Sequence, residues 1–170
     1  MNFPRLFALT CWLGIAGAWA GGEAKLEIGD HRLTAEIALR PEEQMTGLMN
    51  RDALDSDRGM LFVFPSPKQA SFWMHNTSIP LDLAFLDASG VILEIIPLVP
   101  FEEKPVQSQS SKVSYALEVA RDWFASRGLK AGLKVRDYKN NLQPPSRIDH
   151  LNLHFRPIVL LVHSVAISLG

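Results

Sequence analysis

Alternating apolar and polar residues indicate short strands along most of the chain. Residues 25–28 alternate, Gly29 and Asp30 form a turn signal, and residues 32–39 place apolar side chains at every second position. Because successive side chains of a strand point to opposite faces, this pattern predicts a β-hairpin with one apolar face. Further strands are predicted from apolar runs at 60–64, 70–74, 81–86, 91–99, 113–120 and, as a closing strand, 134–138.

Turn residues separate these runs by short distances and predict how the strands pair. Parallel pairing needs a crossover of about a dozen residues, so the spacing favours antiparallel pairs. Pro41 and the acids after it are typical of a helix start, and this helix is expected to run to about Met49. Asp122 as N-cap and Gly128 as stop predict a second helix. The predicted fold class is α+β: mostly antiparallel β, a small barrel-like sheet with two short helices.

Residues 1–20 have the three parts of a cleavable signal peptide. Arg5 supplies a positive charge, residues 6–17 are apolar and uncharged, and Ala18-Trp19-Ala20 forms a cleavage site. A buried N-terminal helix is the alternative. Cys11, the single cysteine, would leave with the peptide, which excludes disulfides, a cysteine nucleophile and cysteine-ligated zinc from the mature chain. The sequence therefore predicts a periplasmic or secreted protein.

Charge and composition limit the partners of the remaining chain. The net charge is −1, and it becomes −2 when Arg5 is removed with residues 1–20. This balance predicts no binding to nucleic acid. Residues 139–170 differ in composition, and their apolar run at 158–169 is too short to span a membrane, which takes about 20 residues. We therefore expect a domain at 21–138 followed by an atypical tail at 139–170. The tail is either an additional docked strand or helix, or a sequence altered by a shifted reading frame or a lost stop, which would be foreign to the fold and disordered.

The densest group of residues capable of chemistry lies between 71 and 82. If Ser71 to Met74 is a strand, Trp73 and His75 lie on one face, next to a loop that contains Asn76 and Thr77. An aromatic ring beside amide and hydroxyl groups is typical of a site for a polar ligand. The alternative is that Asn76 and Thr77 bond only to their own turn backbone.

Two acidic residues lie within apolar strands and therefore need partners if they are buried. Asp82 follows Leu81, and Glu118 lies between two apolar neighbours. Arg51 is a candidate partner of Asp82, either in a structural ion pair or in a ligand clamp. Asp82 and Glu118 together are also candidates for the acid and base of a hydrolase.

Metal ligands are weakly indicated. Four of the five methionines fall between Met45 and Met74, and with His75 they are candidates for a Cu(I) site. Met45 and Met49 are one helical turn apart, however, as core residues are, and methionine commonly fills gaps in cores. We therefore predict no metal and no cofactor.

Four ordered motifs resemble those of the DUF192 (domain of unknown function) family and cover about residues 25–135. They are Gly47-Leu48-Met49-x-Arg51, Gly59-Met60-Leu61-Phe62, Phe72-Trp73-Met74-x-Asn76-Thr77-x-Ile79-Pro80-Leu81-Asp82 and Tyr115-x-Leu117-Glu118-Val119. The resemblance implies a compact domain of antiparallel strands with short helices, and it implies no activity. Two positions differ from the family pattern: His75 stands where lysine is common, and Asp122 stands near a usual glycine.

The expected function is that of an exported binding or accessory module for a small polar ligand or an envelope component. A hydrolase using Asp82 and Glu118, or a purely structural envelope protein, are the alternatives. The oligomeric state is not predicted. The candidate ligand-binding residues are Arg51, Trp73, His75, Asn76, Thr77, Asp82 and Glu118.

Overall fold

The structure, a computed structural model, describes residues 22–137, so the expected signal peptide, Cys11 and the expected tail lie outside the described residues. These residues form one α-helix, α1 (Pro41–Thr46), and one 3-10 turn (Ala125–Arg127). No helix among them is both long and apolar enough for a membrane span. The strands are β1 (Glu23–Ile28), β2 (His31–Ala38), β3 (Arg58–Lys68), β4 (Ser71–Phe72), β5 (Leu81–Leu86), β6 (Ile92–Leu98), β7 (Val106–Gln107), β8 (Val113–Ala120) and β9 (Val135–Asp137).

Seven strands form one curled sheet in the order β6-β5-β8-β3-β2-β1-β9, and β4 pairs separately with β7. The two edges of the curled sheet touch where Val91, next to β6, bridges Lys134, next to β9. The expectation of a mostly β fold is confirmed, and so is the predicted hairpin, which β1 and β2 form in antiparallel register.

The expectation of mostly antiparallel pairing is confirmed, because the strand pairs of the described residues are antiparallel except for β2 with β3. These two strands pair in parallel, since the connection at residues 39–57 contains α1 and is long enough for a crossover. The two short helices are not confirmed, since α1 has only six residues and the second is a single 3-10 turn. Gly128 does end that turn in a left-handed conformation, and Asp122 makes the preceding turn with a φ of 63°.

Strand β3 also extends past the predicted stop at Pro65. Its pairing with β8 shifts register after Val63 and resumes where Lys68 lies opposite Val113. Proline is tolerated in a strand at such an irregularity because no ladder hydrogen bond is required from its nitrogen there. Residues 65–69 are exposed, and this part of β3 leads directly to β4.

The alternation of side chains gives the sheet two apolar faces. An inner core contains Leu26, Leu61 and Leu117, together with residues from both ends of the sheet order. An outer core on the opposite face contains Met60 and Phe62 of β3 and residues that cover them, among them Leu48, Met74 and Ile79. The segments after α1 and after β4 thus cover the outer face, and the candidate site lies between them and the sheet.

Candidate functional site

Glu118 lies on the outer face of β8, in the middle of the sheet. It is opposite Met60 on one neighbouring strand and Leu83 on the other, while Leu117 and Val119 point into the inner core. Only 5% of Glu118 is exposed. Burial raises the pKa of its carboxyl group to about 8, and the positive charge of Arg51 opposes this rise. At pH 7 the carboxyl group is therefore mostly protonated and neutral.

Glu118 lines a cavity of about 320 Å³ on the outer face. One wall is formed by α1 and the residues after it, including Met45 and Gly47, and the other by aromatic residues of β3 and β4. Gly47 has a φ of 49°, a conformation that favours glycine, and an ideal Cβ there would be in ordinary van der Waals contact with Phe62 at 3.5 Å and with the Glu118 Oε2 atom at 4.0 Å. The aromatic lining consists of Phe62, Phe64, Phe72 and Trp73.

Two loops are joined to each other at this cavity. The Asn50 backbone nitrogen donates to the Asn76 carbonyl at 2.8 Å, and the Ser78 hydroxyl donates to the Arg51 carbonyl at 3.1 Å. Asn50 and Asn76 both have positive φ, 59° and 51°, a conformation that asparagine adopts more readily than most residues. Asn76 thus shapes the loop but does not line the cavity.

Arg51 is held by Glu36 of β2 instead of by Asp82. Its two terminal nitrogens donate to the two Glu36 carboxylate oxygens at 2.6 Å and 2.7 Å. Glu36 and Glu118 both lie opposite Met60, so Arg51 also acts electrostatically on Glu118. The expected Asp82–Arg51 bridge is therefore wrong, and Arg51 instead connects two acidic side chains of the outer face.

Trp73, His75 and Thr77 follow β4 at the mouth of the cavity. As predicted, Trp73 and His75 share a face: their rings stack with centroids 5.0 Å apart, and His75 Nδ1 lies 2.8 Å from Glu103. Trp73 is 49% exposed and lines the cavity. Thr77 is buried, lines the cavity, and donates its hydroxyl to the His75 carbonyl at 3.1 Å. Its oxygen can still accept a hydrogen bond from a ligand.

Asp82 lies on the opposite face of the sheet from Glu118. Arg121 Nε is 3.5 Å from its carboxylate, and the backbone nitrogen of Asp122 donates to it. Burial raises the pKa of Asp82, and the charge of Arg121 opposes the rise. Because the two acids do not face a common space, the arrangement gives no support to a hydrolase in which Asp82 and Glu118 act on one substrate.

The methionines divide between core and cavity. Met60 and Met74 are buried in the outer core, whereas Met45 and Met49 line the cavity. Met45 is 75% exposed, so its interpretation as a core residue is wrong. Within residues 22–137, no three His, Asp or Glu side chains are grouped in a way that could hold a metal ion.

Of the seven candidate residues, Trp73, Thr77 and Glu118 line the cavity. His75 stacks on Trp73, and Arg51 acts electrostatically on Glu118. Sequence reasoning missed the wall formed by α1 and the residues after it, and the β3 part of the lining, which is Phe62, Phe64 and Lys68. Every second residue of β3 from Met60 onward faces outward, and this alternation is the pattern that could have located the two phenylalanines. A continuous apolar run hides this alternation, because residues of both faces are apolar.

Comparisons with known proteins give one family match and two similar solved structures. The DUF192 profile, described as "Uncharacterized ACR", matches residues 24–136, whereas no curated protein matches the sequence. A candidate transcription regulator from Sinorhizobium meliloti 1021 is 30% identical with a TM-score of 0.67, over 71% of this chain and 97% of that one. A protein of unknown function from Novosphingobium aromaticivorans DSM 12444 is 32% identical with a TM-score of 0.62, over 67% and 84%. The chain therefore belongs to the DUF192 family.

Proposed function

We propose that this protein is a binding module whose outer-face cavity takes a small ligand with a polar head group. One observation carries the proposal: Glu118 is 5% exposed and lines the cavity, and the charge of Arg51 is what opposes the effect of burial on its carboxyl group. A largely buried carboxyl group that borders a cavity can bond to the polar head group of a ligand there.

The composition of the cavity supports the same function. Ligand sites are mostly apolar and aromatic, have a few convergent polar groups, and occupy about 300–1,000 Å³. This cavity has a volume of about 320 Å³. Its aromatic walls are suited to the apolar part of a ligand, while Glu118 and the Thr77 hydroxyl provide the polar contacts.

A thermal-shift screen of the purified protein against small polar metabolites and envelope components tests the proposal. Trp73→Ala removes a half-exposed wall, and Phe101→Ala is the matched control because Phe101 is 65% exposed and does not line the cavity. We expect a compound that raises the melting temperature of the parent and of Phe101→Ala by several degrees, with a much smaller shift for Trp73→Ala. If no compound shifts the parent, or if Trp73→Ala keeps the full shift, the proposal is wrong.

The proposal includes export, on the basis of residues 1–20. The intact mass of the protein recovered from the periplasm or medium of a bacterial host should correspond to a chain that begins at Gly21. A protein that stays in the cytoplasm with Met1 to Ala20 attached would contradict it.

A further inference from the structure

We infer that the cavity selects small organic cations, whose ammonium group lies between Glu118 and the aromatic walls. This inference rests on the proposed binding function and adds the charge of the ligand to it. It stands on the charges around the cavity, on the rings that line it, and on a lysine of the chain itself.

The charges next to Glu118 are already matched to one another. Arg51 gives both terminal nitrogens to Glu36, and Arg58 lies 2.7 Å from Glu23 and 3.9 Å from Glu36. The charges of these four side chains balance one another, so ionisation of Glu118 adds a negative charge that none of them is needed to match. A cation in the cavity compensates this charge by pairing with the carboxylate, whereas a neutral ligand leaves the charge uncompensated.

The aromatic walls attract the same kind of ligand. The faces of aromatic rings carry partial negative charge, so an ammonium group within about 6 Å of a ring centroid is stabilised. Phe62 and Phe72 meet edge to face with centroids 4.9 Å apart, which leaves parts of these rings to line the cavity. Buried carboxyl and surrounding rings together form a site for a cation with an apolar body.

Lys68 provides direct evidence that this wall accepts an ammonium group. Its Nζ atom lies 4.1 Å from the centroid of the Phe64 ring, and both residues line the cavity. The exposed Lys68 thus already places an organic cation on one of the rings. A bound cation has to share the cavity with it, so removal of the Lys68 charge should strengthen binding.

The protonation of Glu118 gives the inference a pH dependence. The titratable groups around this carboxyl are Arg51 after α1, Glu36 of β2 bonded to it, and Lys68 of β3, while β5 places Leu83 opposite. The pKa of Glu118 is about 8, so a cation that binds at pH 7 displaces its proton. Below pH 8, each unit by which the pH rises should therefore increase the affinity for the cation by up to about tenfold.

Isothermal titration calorimetry of the purified protein with two matched pairs of probes tests the inference. Choline is compared with 3,3-dimethyl-1-butanol, its neutral carbon analogue, and benzylammonium with benzyl alcohol. We expect at least one cation to bind tenfold or more tightly than its neutral counterpart, and to release close to one proton at pH 7 when MOPS and phosphate buffers, which supply no cationic competitor, are compared. Glu118→Gln should remove this preference, and Asp82→Asn, the other buried acid of the sheet, should keep it.

Lys68→Met keeps the test decisive if Glu118→Gln does not fold, because Lys68 is exposed. We expect this variant to bind the cation severalfold more tightly than the parent does. Equal binding of both members of each pair, no binding of either cation, or weaker cation binding by Lys68→Met would overturn the inference. In that case a neutral or anionic compound found in the thermal-shift screen would leave the proposed function standing, whereas an empty screen would remove both.

Discussion

Asp82 and Glu118 lie on paired strands with their side chains on opposite faces of the sheet. The register of β5 and β8 aligns Asp82 with Val119 and Leu83 with Glu118, so the two acids are offset by one residue. Asp82 has Arg121 and the Asp122 backbone as partners, whereas Glu118 faces the cavity, and the charge of Arg51 opposes the effect of its burial. Glu118 is therefore the buried acid that a ligand can reach.

Glu118→Gln should change how stability depends on pH. The folded-state pKa of Glu118 is about 8 and its ordinary value is 4.5, so the folded protein binds this proton more tightly than the unfolded chain does. The stability it contributes is complete below pH 4.5 and is lost as pH rises through about 8. Relative to the variant, the parent should lose on the order of 4 kcal/mol between pH 5 and pH 9.

Urea denaturation of both proteins across this pH range measures the effect. The quantity of interest is the difference between the two free energies of unfolding, because the other titrating groups are common to both. A difference that stays constant from pH 5 to pH 9 would show that Glu118 is ionised in the folded protein.

Arg51→Met should destabilise the fold by about 3 kcal/mol. The change leaves the largely buried Glu36 carboxylate without its bidentate partner and removes a positive charge that lowers the pKa of Glu118. Combining it with Glu36→Leu should recover much of the loss. A double-mutant cycle by urea denaturation gives the coupling energy, and a value near zero would mean that the ion pair does not stabilise the domain.

Gly59→Ala should be among the most harmful single-methyl additions. An ideal Cβ at Gly59 would lie 2.5 Å from the Glu118 carbonyl oxygen and 3.1 Å from a Val119 side-chain carbon, so β3 and β8 must separate. We expect a loss of about 3 kcal/mol. Gly128→Ala is the control: it has open space but a φ of 66°, which predicts a cost of about 1 kcal/mol. Thermal unfolding that ranks Gly128→Ala as the worse variant would contradict the packing of β3 against β8.

Tyr115→Phe should stabilise the protein by about 1 kcal/mol. The Tyr115 hydroxyl is buried in the inner core, and no group in residues 22–137 bonds to it. Removing an unpaired buried hydroxyl while keeping the ring is neutral to favourable. Urea denaturation at pH 7 provides the measurement, and a loss of stability would indicate that the hydroxyl has a partner such as a bound water molecule.

Local patterns predicted those parts of the fold that local interactions determine. The β1–β2 hairpin follows from alternation on both sides of Gly29 and Asp30, and the stop at Gly128 follows from its freedom to adopt positive φ. The parallel pairing of β2 with β3 depends on contacts across the long connection that contains α1, and no local pattern encodes it. Pro65 indicated a strand end, but a strand can continue past a proline where the ladder is already irregular.

The candidate site was predictable in its residue types and less so in its partners. Glu118 was identified because an acid between Leu117 and Val119 is forced into an apolar environment. Its relation to Arg51 and Glu36 depends on the register of three strands, and a shift of one residue would reverse every face. The same uncertainty made Asp82 an equal candidate, although it faces the other way.

The pairing of β9 with β1 joins the last strand of residues 22–137 to the first. A ribosome therefore has to synthesise the chain as far as Val135 before β1 can gain its second neighbour. Any nascent or prematurely ended polypeptide lacking that stretch presents an open edge, at which strands of other molecules can add. Cellular quality control should therefore recognise a chain that lacks residues 135–137, although these residues do not line the cavity.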